Sequence, residues 1–195
     1  MDGRRLRSAR TKQRIVEAYI ALLRENPRIP TAAQVAEKAG YSVRSVFERF
    51  PDLHSLRLAA TDHAFAQGVA QSAALDFEGD RETRIRNHVR GRSAICEHWL
   101  PLWRAVIVNQ RDSAPLQSRV MLMRQAILKR IELSYVAELS TLDAVDRRAT
   151  LIAIDALIDF ESWSRMRSFS GLSVEEAQEV WIAAIDRLLP PTPIS

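Results

Sequence analysis

Between Ser42 and Phe50 the chain runs Ser-Val-Arg-Ser-Val-Phe-Glu-Arg-Phe, a short stretch rich in guanidinium and hydroxyl groups. Guanidiniums bond guanine edges or phosphates, hydroxyls serve both, and a valine can touch a thymine methyl. On that chemistry Arg44, Ser45 and Val43 are candidates for the base edges of duplex DNA. Thr31, Ser42 and Arg49 are candidates for phosphates, with Phe47 beside them on the same segment. Upstream, Arg4, Arg5, Arg7 and Arg10 can follow the backbone or enter the minor groove.

Rival chemistries lack their residue patterns. No Glu has a His three residues later, and no two His are four apart, as helical metal sites require. There is no Gly-x-Ser-x-Gly elbow, no phosphate-cradling glycine loop and no cysteine pair. Cys96 stands alone, reads as a packed thiol, and agrees with a reducing cytoplasm. The expectation is therefore no enzyme, no metal and no cofactor. The alternative is a helical-bundle enzyme, or a small-molecule-binding protein whose basic head does not read sequence.

The elements that must position these groups are two short helices joined by a tight turn. Ala32, Val35, Ala36 and Ala39 fall at i, i+3, i+4 and i+7, and so do Val43, Val46, Phe47 and Phe50. Thr31 and Ser42 stand where side-chain oxygens cap helix N-termini, and Gly40 stands where a helix ends in a left-handed residue. Turning the apolar stripe inward leaves Arg44, Ser45, Glu48 and Arg49 outward. This is the layout of a helix-turn-helix whose second helix enters the major groove.

The stretch resembles the DNA-binding domain of the TetR family of bacterial transcription regulators. The matching positions are Thr31, Val35-Ala36, Ala39-Gly40-Tyr41-Ser42, Ser45-Val46-Phe47 and Phe50. Ile15, Ala18, Tyr19, Leu22 and Leu23 match the buried face of the preceding helix. The specific resemblance covers roughly residues 10–60; beyond it, the all-helical layout and the segment from Glu161 to Leu189 are similar. Phe47 replaces the family's usual Tyr, so a phosphate-bonding hydroxyl is missing. Arg44 stands where the family often has Gly, and Leu53-His54 where it usually has a Lys. The resemblance implies a homodimer on a palindromic DNA operator, most often a repressor answering a small-molecule effector, here unknown.

Charge distribution agrees with a DNA partner. Residues 1–60 hold 12 Lys+Arg against 6 Asp+Glu, whereas the whole chain carries only +4. A basic head on a mildly acidic body binds polyanions, increasingly so as salt falls. The longest stretch without Asp, Glu, Lys or Arg spans 13 residues, His63 to Leu75, too short to cross a bilayer. No apolar run follows the N-terminal arginines, so no secretory signal is expected, and neither is a membrane partner.

Few glycines and no alternating strand pattern predict an all-α protein of about nine helices. Residues 1–55 are the expected helix-turn-helix domain and 56–195 a helical ligand-binding and dimerisation domain. Residues 1–9 are expected to be disordered, followed by helices near 10–26, 31–39, 43–50 and 52–76. Further helices are expected near 81–98, 101–110 and 113–139, and another to about 168 capped by Asp143 or Thr141. The last is expected to begin at a Ser173/Glu176 capping box and stop before Pro190, with a frayed tail beyond. In the body, His88, Arg92, Trp99, Trp103, Arg104, Met123, Asp155, Asp159 and Trp163 mix polar and apolar groups as a small-molecule site does. The arginines would favour an anionic ligand and the aspartates a cationic one. Ala153, Ala156 and Phe160, with Ala177, Val180, Trp181, Ala184 and Leu188, are candidates for a four-helix dimer interface.

Overall fold

The computed structural model describes residues 3–26, 28–73 and 78–193, and every regular element among them is helical. In order these are α1 (Gly3–Glu25), α2 (Ala32–Ala39), α3 (Val43–Arg49), α4 (Leu53–Ala73) and α5 (Arg81–Asn109). They are followed by α6 (Ala114–Ser134), α7 (Val136–Leu139), α8 (Ala144–Leu157), α9 (Phe160–Ser164) and α10 (Val174–Leu188). A π-helical turn at Arg165–Phe169 follows α9. The all-α expectation holds.

Several predicted boundaries shift, each for a physical reason. Helix α1 starts at Gly3 rather than residue 10, because Arg, Leu, Ala and Lys are strong helix formers and Thr11 bonds back to the Arg7 carbonyl at 3.0 Å. The two helices expected around Pro101 are one, α5, with the proline inside it. Proline removes one backbone bond, but Trp99, Leu102, Trp103 and Val106 are buried on both sides of it, and their burial outweighs that loss. The helix expected to reach residue 139 breaks at Tyr135 (φ −126°, ψ 30°), a fully buried residue. The helix expected over 143–168 breaks after Ile158, where Asp159 accepts from the Glu161 N–H at 3.0 Å and caps α9. The expected end of α4 at Asp76 lies outside the described residues.

Packing groups the chain into two units, residues 1–67 with 101–119, and residues 68–100 with 120–195. The first has a core of Ile15, Tyr19, Leu23, Val35, Ala36, Val46, Phe50, Leu56 and Ala60. Arg119 pairs in bidentate fashion with Asp62 there, at 2.6 and 2.8 Å. The second buries Ile85, Val89, Ile131, Tyr135, Ile154, Ile158, Trp163, Trp181 and Ile185. Within it Arg84 forks onto the buried Glu138, which also accepts from Thr192 at 2.5 Å. Arg81 bonds the Leu189 and Pro190 carbonyls, so Pro190 to Thr192 are held in place rather than frayed. Ile194 and Ser195 lie outside the described residues.

Candidate functional site

The head is built by caps. Thr31 Oγ1 accepts from the Gln34 N–H at 3.3 Å while Gln34 Oε1 accepts from the Thr31 N–H at 2.9 Å, closing a capping box on α2. Gly40 ends α2 at φ 74°, and its N–H returns to the α2 carbonyls. Ser42 Oγ then accepts from the Ser45 N–H at 3.2 Å and starts α3. Val35, Ala36, Val46 and Phe50 are buried and lock the two helices together, while Ala32 and Ala39 are half-buried. Ile15, Ala18, Tyr19 and Leu23 form the buried face of α1 as expected, with Leu22 half-buried.

One part of the apolar pattern is corrected. Val43 and Phe47, expected to turn inward, are 40% and 45% exposed. A seven-residue helix pinned at Val46 and Phe50 leaves too little covering surface for its first turn and flank. Val43, Arg44 and Phe47 are therefore exposed on α3, and the Arg44 side chain is 88% exposed.

The remaining head candidates differ in what they have free. Ser42 is exposed and Ser45 half-buried, and their hydroxyl oxygens lie 3.0 Å apart, so one donates to the other. The Thr31 hydroxyl already donates to Gln34 Oε1 at 3.0 Å, which leaves no free donor for a phosphate. Arg49 is half-buried, with Nη1 3.9 Å from Glu48 Oε2. Arg5, Arg7 and Arg10 are exposed on α1; the side chain of Arg4 lies outside the described residues. Because α1 extends back to Gly3, Arg7 joins Arg10 and the exposed Arg14 on one helical face. Tyr41, in the turn, has its phenol held below the ordinary range, first by a hydrogen bond with Thr11, with Arg14 and Arg10 adding.

In the second unit, His88 and Arg92 are buried. His88 Nδ1 lies 2.8 Å from the Tyr135 hydroxyl, and burial, then the positive charges of Arg92 and Arg130, hold its imidazole down at about 3. Arg92 donates from Nε to the Ile158 carbonyl at 2.9 Å and its guanidinium lies 4.7 Å from the Phe160 ring centre. Asp155 is half-buried and burial pushes its carboxyl up, against the pull of Arg124 and Arg92. Cys96 is buried and its thiol is pushed up to about 11, which makes it a poor nucleophile.

Other body candidates are committed to structure. Asp159 caps α9, and Trp163 donates from its indole to Glu97 at 2.8 Å and packs its ring 4.7 Å from that of Trp181. Trp99 is buried and Met123 half-buried. Trp103 and Arg104 fall in the first unit, one buried and the other exposed. A surface groove of about 430 Å³ between α6 and α8 is lined by Gln125, Leu128, Lys129, Glu132, Arg148, Leu151 and Ile152, none of them a sequence candidate. Of the interface candidates, Phe160, Ala177 and Trp181 are buried within the single chain and so cannot face a partner. Ala156, Val180 and Leu188 are exposed, and Ala153 and Ala184 half-buried.

A helix-turn-helix head followed by a helical body defines the class, and comparison with solved structures places the fold within it. No protein-family model and no curated protein sequence matches the chain. A TetR-family transcriptional regulator from Streptomyces coelicolor superposes with a TM-score of 0.78 over 92% of this chain and 80% of its own, at 16% identity. A transcriptional regulator from Rhodococcus sp. Rha1 gives 0.74 over 93% and 99%, also at 16% identity. The multidrug binding protein EbrR, complexed with imidazole, gives 0.60 over 100% and 94%, at 21% identity. The chain has the fold of the TetR-family regulators. Among the described residues no helix is long and apolar enough to cross a membrane.

Proposed function

We propose that this chain is a TetR-family, DNA-binding transcriptional regulator of the cytoplasm. It acts as a homodimer on a palindromic operator, as a repressor released by a small-molecule effector. The observation that carries the reading is α3 itself. Ser42 caps it, Val46 and Phe50 fix it, and Val43, Arg44 and Phe47 stand exposed beside Ser45. That edge offers a guanidinium, a hydroxyl and apolar contacts to a major groove, with the basic face of α1 nearby in sequence to meet phosphates.

Exposed Ile152 and Ala156 on α8, with Val180 and Leu188 on α10, support pairing with a second copy. Two heads on one duplex face then call for half-sites spaced by whole turns, about 10–10.5 base pairs or a multiple. The likeness to EbrR, a multidrug binding protein, supports a small-molecule effector. The polar groups at His88, Arg92 and Asp155 are the candidates to meet it.

Selection of bound fragments from random duplexes tests the reading. A palindromic consensus is expected, and recovery of unenriched DNA would overturn it. Arg44→Ala should then weaken the selected operator by about 1–3 kcal/mol and erase the preference at one base pair of each half-site. An unchanged consensus for that variant would remove Arg44 from base reading.

A further inference from the structure

We propose that Glu48 is a specificity-determining residue of the head, holding Arg44 so that the outer fork of its guanidinium is presented to base edges. The inference rests on the DNA-reading function proposed above. Glu48 Oε1 accepts from Arg44 Nε at 3.1 Å, and Glu48 Oε2 lies 3.9 Å from Arg49 Nη1. Since the bond uses Nε, the Nη1 and Nη2 donors stay available, and two such donors are what guanine O6 and N7 accept. The carboxylate thus sits between two cations and restrains the one that is most exposed.

Helix energetics favour this pair only weakly. Arg44 lies in the first turn of α3 and Glu48 in the last, each at the end where the helix dipole disfavours its sign. A cation one turn before an anion is also the weaker order for an i,i+4 pair. A carboxylate on an edge that meets a polyanion lowers affinity for every duplex. What it adds is order and rejection. A restrained arginine has less rotamer freedom to lose on meeting its base. On a wrong sequence, where Arg44 must leave to reach a phosphate, Glu48 is left unpaired against the DNA.

Anisotropy titrations of the full chain at one salt concentration test this on three duplexes. These are the selected operator, the same operator changed at the base pair whose preference Arg44→Ala removes, and an unrelated duplex. Glu48→Ala is expected to tighten the unrelated duplex about threefold or more, since one opposing charge is gone. The same variant is expected to shrink the preference for the intact operator over the changed one by about fivefold. Glu48→Gln keeps an acceptor for Arg44 Nε and should retain most of that preference. In the Arg44→Ala background, Glu48→Ala should leave the ratio unmoved. Equal tightening on all three duplexes, with melting curves showing folded protein, overturns the inference and leaves DNA reading intact. A wild-type chain without sequence preference overturns both, and a preference untouched by Arg44→Ala overturns the role of Glu48 alone.

Discussion

Replacing His88 by Asn should flatten the acid side of the stability profile. Burial, with Arg92 and Arg130, lowers the imidazole to about 3 in the folded chain, against 6.5 for an exposed histidine. Between those two values the unfolded chain binds a proton at His88 and the folded chain does not. Stability from this group is therefore fully present above about pH 6.5 and is lost as pH falls toward 3, by at most about 1.4 kcal/mol per unit. At pH 5 the loss relative to pH 8 is about 2 kcal/mol, and it changes little for any folded value well below 5. Asn keeps a polar group near the position of Nδ1, 2.8 Å from the Tyr135 hydroxyl in the native protein, and carries no proton equilibrium. Urea denaturation followed by circular dichroism at pH 8, 6 and 5, at constant ionic strength, gives the comparison. The variant should start less stable at pH 8, and the gap to wild type should close by about 2 kcal/mol by pH 5. Carboxylates common to both proteins cancel in the difference. A gap constant across pH would mean that His88 titrates as an exposed imidazole and that its burial against Tyr135 does not persist in solution.

Glu138→Ala leaves Arg84 facing the interior without its carboxylate and should cost about 3–5 kcal/mol, read as a lowered melting temperature. Loss of less than about 1 kcal/mol would mean that the pair is solvated. Gly40→Ala puts a Cβ into open space, so the whole penalty comes from holding alanine at φ 74°, about 1–2 kcal/mol by urea denaturation. Gly40→Asn should cost less, because Asn tolerates the left-handed region.

Local signals in the sequence were enough to place the caps and the turn of the head. Capping oxygens and the left-handed glycine act over three or four residues, so Thr31, Gly40, Ser42 and Ser173 could be assigned without knowing what packs on them. The body was less legible because its helices break for distant reasons. Nothing local says that the helix through Ser134 must break at Tyr135; the buried contact with His88, 47 residues earlier, and the Arg84–Glu138 pair next to it are tertiary. Asp159 is a better cap than a helix-interior residue, yet its charge and its spacing from Asp155 also suited a ligand site. The period-3.6 rule assigned Val43 and Phe47 inward because it marks a stripe without knowing how much surface exists to cover it. Trp181 and Ala177 are the opposite case, buried in the chain's own core, since a stripe facing a partner and one facing that core have the same spacing.

On the proposed function, the contacts of Arg92 constrain how an effector would act on the body. Its Nε donates to the carbonyl of Ile158, the C-cap of α8, one position before the Asp159 cap of α9. The guanidinium also lies against Phe160, the first residue of α9. Arg92 therefore joins α5 to the break between two helices, and α8 carries the exposed Ile152 and Ala156 that a second copy would meet. An anionic effector paired with Arg92 through its Nη donors can leave that carbonyl bond in place. One that draws Nε away leaves a buried carbonyl bare, at about 1–3 kcal/mol. The second kind acts directly on the α8–α9 break, and a ligand shifts an equilibrium by no more than the difference in its affinity for the two states. If Arg92 meets the effector, the consequence at the helix break turns on which edge of its guanidinium the ligand takes.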